Sequence, residues 1–418
     1  MLAAATMGIV DKIKELEAEY ARTQKNKATE GHLGIIKAKL SKLRSSLLEE
    51  QSSSGGGGDG FDVKKSGDGR VALIGFPSVG KSSLLSTLTS TQSEAAGYEF
   101  TTLTCIPGNI LYNDTKIQLL DLPGIIEGAA HGKGRGKEVI AVARTSDLVL
   151  IVLDAGKEGV DDHKGILERE LETVGLRLNK TPPNIALVRK ATGGVKFNAT
   201  VPLTKLGDDP AKTVNSILHE FRLHNCEVLF RGDYGTDELI DVINGNRKYV
   251  RCLYVYNKID MLSLEDVEPL ARQPDTIVIS VRLKLNLDYL LARMWDAMGL
   301  IRVYTKRRGC PPDLDEPVVL SSQRHGITVE AATARISKEL LVVFNYAEVW
   351  GTSTKHSPQR VGRDHVLQDE DILQIVGQTN HQQKLDKNYS QRVQDYNKMI
   401  AEKRKTRTKE GKKKRSTG

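Results

Sequence analysis

One short segment constrains this chain more than any other. Gly75 to Ser82 reads GFPSVGKS and satisfies the pattern G-x-x-x-x-G-K-[ST]. The apolar run VALIGF leads into it and the helical pattern SLLSTLTS follows it, which is the strand, turn and helix context that the pattern requires. A purely structural glycine turn is the alternative, and the flanking strand and helix argue against it. The segment therefore predicts a phosphate-binding loop, or P-loop.

The residues of this loop suit a nucleotide polyphosphate. Glycines leave room for backbone N–H groups to wrap a β-phosphate, and the helix N-terminus adds positive potential. Lys81 is expected to neutralise β- and γ-phosphate oxygens, and the Ser82 hydroxyl to ligate Mg²⁺. The nucleotide-binding residues predicted in this segment are Gly75, Ser78, Val79, Gly80, Lys81, Ser82 and Ser83.

Two further motifs follow at the ends of predicted strands. DLPG places Asp121 where a carboxylate can hold the Mg²⁺ shell and Gly124 where its N–H can reach a γ-phosphate. NKID supplies Asn257, Lys258 and Asp260 after the run CLYVYN. A carboxylate there accepts both N–H groups of the guanine N1 and N2 edge, a donor pair that adenine lacks. Each motif is common alone, but all three in order at the carboxyl edge of a sheet predict GTP rather than ATP.

Less specific patterns complete the predicted site. YEFTTLT is predicted to be switch I, with Thr102 contacting Mg²⁺ and the γ-phosphate and Thr101 as the alternative residue. A threonine-rich strand without a nucleotide contact is the other interpretation of this segment. Ser280 ends TIVIS and is expected either to support guanine by a backbone contact or simply to end a strand. The predicted catalytic residues are Lys81, Thr102 and Gly124, and the predicted Mg²⁺ ligands are Ser82, Thr102 and Asp121.

The spacing of the motifs predicts an interrupted α/β fold. Strands alternate with helices from Arg70 onward, which is typical of a doubly wound parallel sheet. One strand-helix-strand step needs about 30 residues. Asp121 to Asp154 spans 33 residues, whereas Asp154 to Asn257 spans 103, so about 70 residues are inserted there.

Periodicity and composition divide the rest of the chain. Helical spacing predicts an N-terminal hairpin with its turn at 26–34, and the order strand, strand, helix, strand predicts a C-terminal β-grasp module with its helix near 328–341. The predicted segments are a helical hairpin (helix-turn-helix) at 1–50, a linker at 51–60, the first part of a GTPase domain at 61–175, an inserted α+β subdomain at 176–248, the second part of the GTPase domain at 249–299, the β-grasp module at 300–377 and a basic extension at 378–418.

The charge of the chain is concentrated at one end. Residues 403–418 hold nine Lys or Arg and one Glu, which accounts for the whole net charge of +8. This run predicts contact with a polyanion such as RNA, although a solvated tail or a nuclear-localisation-like run has the same composition. No apolar run approaches the length of a membrane span, and the four cysteines form no C-x-x-C pair. A cytoplasmic protein without membrane attachment is expected.

The motifs together resemble the developmentally regulated GTP-binding protein family of Obg-like GTPases. The similarity covers roughly residues 7–377. It is carried by ARTQKNKAT, GFPSVGKS, YEFTTLTCIPG, QLLDLPGIIEGAA, GKGRG, VIAVAR, NKID, KLNLDYLL and YAEVWGTSTKHSPQRVG. The resemblance implies a GTPase domain interrupted by a ribosomal-protein-like insertion and a C-terminal TGS domain of β-grasp type. It also implies action on translating ribosomes and rRNA, and a stabilising partner protein.

Two departures qualify what the resemblance implies. Ile125 follows the glycine of DLPG, where Ras-like enzymes keep a water-orienting Gln, so intrinsic hydrolysis is expected to be slow. His131 and Arg135 are substitutes for that Gln or else solvated loop residues. Ser78 stands where potassium-activated GTPases often carry Asn, which weakens the implied K⁺ stimulation. A GTP-bound scaffold with negligible hydrolysis and an RNA-binding adaptor anchored by the tail are the rival functions.

Overall fold

The structure is a computed structural model, and it divides into two compact units. It describes residues 2–24, 26, 29–53, 67–90, 106–122, 143–173, 175–322, 324, 326–385, 390–391, 393–394 and 396–398. The first unit comprises Met1–Ser66, Arg70–Gly108 and Gln118–Leu290, and the second comprises Gly67–Gly69, Asn109–Ile117 and Leu291–Gly418.

Helices and strands alternate along much of the described chain. In chain order they are α1 (Leu2–Arg22), α2 (Glu30–Ser53), β1 (Gly69–Ile74), α3 (Lys81–Ser90), β2 (Ile106–Tyr112), β3 (Thr115–Asp121), β4 (Leu148–Asp154), α4 (Val160–Thr173), β5 (Leu176–Leu178), β6 (Ile185–Arg189), β7 (Val195–Ala199), α5 (Pro210–Glu220), β8 (Cys226–Phe230), α6 (Thr236–Asn244), β9 (Lys248–Asn257), a 3₁₀ turn (Ile259–Met261), α7 (Leu264–Ala271), β10 (Thr276–Val278), α8 (Leu287–Met298), β11 (Leu300–Lys306), β12 (Pro312–Ser321), α9 (Val329–Ile336), α10 (Lys338–Val342), β13 (Phe344–Trp350), β14 (Gln359–Val361), β15 (Asp371–Gly377) and α11 (Asn380–Leu385).

A seven-stranded sheet organises the first part of the fold. Its order is β10-β9-β4-β1-β3-β2, with β5 paired to β9 outside this path. The pairs β1 with β4, β4 with β9 and β9 with β10 are parallel. Every residue of β1 and β4 is buried, as expected for parallel strands covered on both faces. The doubly wound α/β sheet predicted from the sequence is confirmed.

The inserted subdomain has its own small sheet and core. Strands β6, β8 and β7 pair in that order. Helices α5 and α6 pack against this sheet, and the shared core includes Val228 and Phe230 of β8 and Ile217 of α5, all fully buried. The predicted start of the insertion at residue 176 is wrong, because Leu176–Leu178 pairs in parallel with β9 and extends the large sheet. A three-residue strand with two apolar residues, Leu176 and Leu178, cannot specify by itself which sheet it joins.

The N-terminal hairpin packs on this inserted subdomain. Helix α2 contacts both α5 and α6, and Lys37 Nζ lies 2.6 Å from Asp237 Oδ2 of α6. The helix continues to Ser53, three residues into the predicted linker, since no glycine interrupts it before Gly55. It begins at Glu30 rather than at the end of the predicted turn at 26–34.

The C-terminal module is a mixed five-stranded sheet. Its order is β12-β11-β15-β13-β14, with β11 parallel to β15 and the other described pairs antiparallel. Helix α9 covers one face through Val329 and Ala332. The single helix predicted near 328–341 is divided, because Ser337 adopts extended backbone angles and caps α10 through its side chain. The strand order with this helix corresponds to the predicted β-grasp arrangement.

We expect Phe230→Ala to destabilise the inserted subdomain by about 3–5 kcal/mol, because it removes a fully buried aromatic ring from the core. Amide hydrogen exchange of Cys226–Phe230 in the whole chain would measure the loss. Val188→Ala is the matched control, because that side chain is 54% exposed. Equal protection in the two variants would contradict the assigned core.

Candidate nucleotide site

The P-loop lies between β1 and α3 with the backbone shape of an anion nest. Ser78 has φ +65° and Gly80 has φ +100°, so the N–H groups around Val79 turn towards one concave surface. A Cβ at Gly80 would lie 2.4 Å from Asn257 Nδ2. Only glycine fits at this position, since a side chain would meet both the strained φ and the amide of the neighbouring loop.

Lys81 is held beneath the loop. The residue is 7% exposed, and its Nζ donates to the carbonyl oxygens of Gly75 at 3.0 Å and Phe76 at 2.9 Å. Burial lowers the pKa of the Lys81 ammonium, and the nearby Asp121 carboxylate opposes that shift. A bound phosphate would likewise favour the charged form, so the residue is poised for an anionic ligand.

Ser82 and Asp121 meet where a divalent cation would be needed. The Ser82 hydroxyl donates to Asp121 Oδ2 at 2.5 Å, which joins the start of α3 to the end of β3. Both side chains offer hard oxygen atoms, the ligands that Mg²⁺ prefers. The two predicted metal ligands within the described residues are therefore brought together, and their chemistry fits Mg²⁺.

Asn257 joins the P-loop to the base-reading loop. Its Nδ2 donates to the Val79 carbonyl at 2.9 Å, while its Oδ1 accepts from the backbone N–H of Lys258 and of Val281. The side chain is almost fully buried. This bracing role was not predicted, because the motif alone does not show which segments lie next to it.

Lys258 makes a second connection between the same loops. Its Nζ donates to the Ser78 carbonyl at 3.0 Å and forms an ion pair with Asp154 at 2.7 Å. Asp154 also accepts from the backbone N–H of Gly156. Sequence reasoning missed Asp154 as a site residue, although a carboxylate at the end of a buried strand is the same signal that pointed to Asp121.

Asp260 is fixed in place by its neighbours. The Ser280 hydroxyl donates to Asp260 Oδ1 at 2.6 Å, and this bond is the main reason that the pKa of Asp260 lies below its ordinary value. Arg282 Nη1 lies 3.9 Å from Oδ2. The carboxylate is therefore ionised and oriented, as an acceptor for two N–H donors must be.

The structure shows which contacts Ser280 makes within its own loop, and its predicted backbone contact to guanine stays a prediction. Its N–H donates to the Leu285 carbonyl and its carbonyl accepts from the Leu285 N–H, so both backbone groups close the loop. The Ser280 hydroxyl, besides donating to Asp260, accepts from the Leu283 N–H at 3.2 Å. The strand pattern could not reveal this bridge, because it depends on the turn that follows β10.

The remaining predicted site residues are either at the P-loop or outside the described part. Ser83 follows Ser82 in the first turn of α3 and is exposed. The residues outside the described part are Thr101, Thr102, Gly124, Ile125, His131 and Arg135, together with the basic run at 403–418.

We expect Asp260→Asn to lower affinity for GTP by about one to two orders of magnitude, because a charged acceptor of two hydrogen bonds is lost. Affinity for xanthosine triphosphate should rise, since the new amide can donate to the xanthine C2 oxygen. Fluorescent nucleotide titrations would measure both constants. Ser280→Ala is the matched comparison: it loosens the carboxylate without changing the acceptor, so GTP should stay preferred. Unchanged GTP preference in Asp260→Asn would contradict base reading by this residue.

Comparisons with known proteins match three consecutive parts of the chain to known families. Residues 70–190 match a family described as 50S ribosome-binding GTPase, residues 192–300 match the C-terminal region of the MMR_HSR1 domain, and residues 301–377 match the TGS domain. Among solved structures, Era from Aquifex aeolicus bound to GDP and AlF4⁻ is 18% identical, with 55% of this chain and 56% of that chain covered, at a TM-score of 0.29, which is too low to support an inference.

Whole-length relatives are far more similar. Developmentally-regulated G-protein 1 of Arabidopsis thaliana is 63% identical, covering 88% of this chain and 92% of the relative. Developmentally-regulated GTP-binding protein 2 of Homo sapiens is 59% identical, covering 88% of this chain and 100% of the relative. GTP-binding protein 1 of Schizosaccharomyces pombe is 54% identical, covering 88% of this chain and 99% of the relative. Because these relatives are 54% to 63% identical over 88% of this chain, the chain belongs to the developmentally regulated GTP-binding protein family of GTPases.

Proposed function

We propose that this protein is a GTP-hydrolysing switch that acts on translating ribosomes in the cytoplasm. The observation that carries the proposal is the convergence of Lys81, the Ser82 and Asp121 pair and Asp260 on one edge of the parallel sheet. The matched family description, 50S ribosome-binding GTPase, and the resemblance noted in the sequence support the ribosome as its site of action.

The described residues can support the charge changes of GTP hydrolysis. Lys81 would neutralise charge that develops on the β- and γ-phosphate oxygens, and the P-loop N–H groups would hold the β-phosphate. Ser82 and Asp121 would hold Mg²⁺, which supplies Lewis-acid stabilisation of the phosphate oxygens when bound. Lys81 and the loop are fixed by protein contacts before nucleotide enters, so little reorganisation is needed at the moment of reaction.

The γ-phosphate would be sensed by residues outside the described part. Thr102 in switch I and Gly124 in DLPG are proposed to contact it and to be released when it leaves. Ile125 cannot orient water through a hydrogen bond, so the proposed intrinsic rate is slow. K⁺ stimulation and a stabilising partner protein of the family type are part of the same proposal.

The inserted subdomain is well connected for reading out the nucleotide state. Strand β9 runs from the end of the insertion at Lys248 directly to Asn257. Lys248 Nζ donates to the carbonyl oxygens of Arg144 and Ser146, both at 2.6 Å, which lie just after residues 123–142. A rearrangement that follows DLPG would therefore reach the base of the insertion through direct contacts.

Removal of Mg²⁺ is expected to weaken GTP binding by at least about tenfold, because the hard-oxygen pair would lose the cation that neutralises the phosphates. Calorimetric titration with and without EDTA would measure this. In Ser82→Ala the dependence on Mg²⁺ should largely disappear. Ser86→Ala is the matched control, because within the described residues that hydroxyl donates to the Ser83 carbonyl inside α3. Full Mg²⁺ dependence in Ser82→Ala would contradict the assigned ligand.

Ribosome binding is expected to be stronger with a non-hydrolysable GTP analogue than with GDP, because the nucleotide state is proposed to set the readout surfaces. Co-sedimentation with ribosomes would measure it for the whole chain and for a chain ending at Gln378. Nucleotide-dependent binding should survive the truncation.

Two outcomes would support the rival functions instead. An adaptor anchored by the basic tail would bind ribosomes equally well with either nucleotide. Its ribosome binding would be lost on truncation and would fall steeply with salt concentration. Single-turnover assays that show no hydrolysis with K⁺ and ribosomes present would identify a GTP-bound scaffold.

A further inference from the structure

Exposed apolar side chains gather around the two loops that carry the base-reading residues. Of the twelve large apolar side chains that are exposed in the described part of the chain, five lie within residues 261–289. They are Met261 (69% exposed), Leu264 (88%), Leu283 (55%), Leu285 (47%) and Tyr289 (50%). We call this set the base-end patch.

The two loops of the patch are held against each other. The hydroxyl of Ser280 donates to Asp260, the residue immediately before Met261. The same hydroxyl accepts from the Leu283 N–H, and the backbone of Ser280 pairs with that of Leu285. The apolar residues on both loops are therefore brought to the same end of the sheet by contacts that also fix the base-reading carboxylate.

Such a cluster differs from single exposed apolar residues, which are normal on protein surfaces. Leu264 is the first residue of α7, and nearly its whole side chain is exposed to solvent. Burying a leucine side chain would stabilise the protein by about 1.5–3 kcal/mol. Clustered exposure of this kind, bordered by charge, marks a surface that another macromolecule covers.

The charges that border the patch indicate what covers it. On the α7 side Glu265 is exposed, and on the side of the loop after β10 Lys284 is exposed, together with Arg282 and the carboxylate of Asp288. No ion pair to Glu265 or Lys284 is found among the described residues. A patch with an acidic border on one side and a basic border on the other is complementary to itself, because a two-fold axis places each border opposite its counterpart.

We propose that the base-end patch joins two copies of this chain across a two-fold axis, with Glu265 of each copy facing Lys284 of the other. The apolar side chains form the centre of the interface and the two charge pairs form its rim. Because the patch lies next to the two loops that carry Asp260 and Ser280, dimerisation encloses the base end of the nucleotide site and slows GDP release. This inference goes beyond the proposed ribosomal role and does not depend on it.

Sedimentation velocity of the whole chain across the micromolar range tests the interface. Self-association should be seen, and Leu264→Asp should weaken it by more than about tenfold, since a charge would be buried at the apolar centre. Leu314→Asp is the matched control, because Leu314 is 58% exposed and lies on β12 of the C-terminal module, outside the patch. GDP binding at high dilution shows that each variant is folded, because neither leucine is one of the nucleotide-site residues described above and both are exposed.

Charge reversal tests the two-fold arrangement. Glu265→Lys and Lys284→Glu should each weaken self-association, and the double variant should restore it, because opposite charges face each other again. A monomer at every concentration overturns the proposal, as does a dimer that is insensitive to Leu264→Asp or a double variant that is no better than the single ones.

The effect on nucleotide release is measured separately. GDP dissociation should be slower at concentrations where the dimer is populated, and Leu264→Asp should remove that dependence. A rate that is the same at all concentrations, in a protein that does dimerise, overturns the enclosure of the nucleotide site.

Discussion

The hydrogen bond from Asn257 Nδ2 to the Val79 carbonyl joins the two halves of the nucleotide site. It links positions 178 residues apart in the chain, and it is possible because β1, β4 and β9 run parallel with Asp154 directly opposite Asn257. The amide is buried and its oxygen is also bonded, so the connection is fully satisfied. Gly80 lies against this amide, which makes the loop and the brace mutually dependent.

A related principle fixes the two carboxylates of the site. Asp121 accepts from the hydroxyl of Ser82 and Asp260 accepts from the hydroxyl of Ser280. In each case a short, neutral donor orients the carboxylate without cancelling its charge. These two carboxylates are the ones proposed above to serve a cation, in the case of Asp121, and the N–H donors of a base, in the case of Asp260. The site is thus arranged before a ligand enters, which reduces the entropic cost of binding.

The insertion is attached to the large sheet by a buried ionic cluster rather than by a shared apolar core. Asp241 of α6 accepts from Arg177 of β5 at 2.6 and 2.7 Å and from Arg247 at 3.2 Å. Arg247 also donates to Ser41 of α2, so the hairpin joins the same cluster. Removing one partner from such a buried group lowers the free energy of unfolding by about 3–5 kcal/mol. The hydrogen bonds of the cluster also form in only one relative orientation of its side chains. The cluster therefore fixes how the hairpin, insertion and sheet meet within the first unit.

The sequence by itself determined the chemistry of the site and the order of the domains. Residue type and spacing predict phosphate, Mg²⁺ and guanine as the ligands of the motifs GFPSVGKS, DLPG and NKID. The parallel strands that carry these motifs end at one edge of the sheet. The tertiary structure alone decided the partners: that β5 joins the large sheet, that Ser280 works through its hydroxyl, that Asn257 braces the P-loop and that Asp154 holds Lys258. Local patterns report which side of a strand or helix is apolar, whereas these contacts join residues 20 to 178 positions apart. They depend on strand register and loop closure, which only the folded chain fixes.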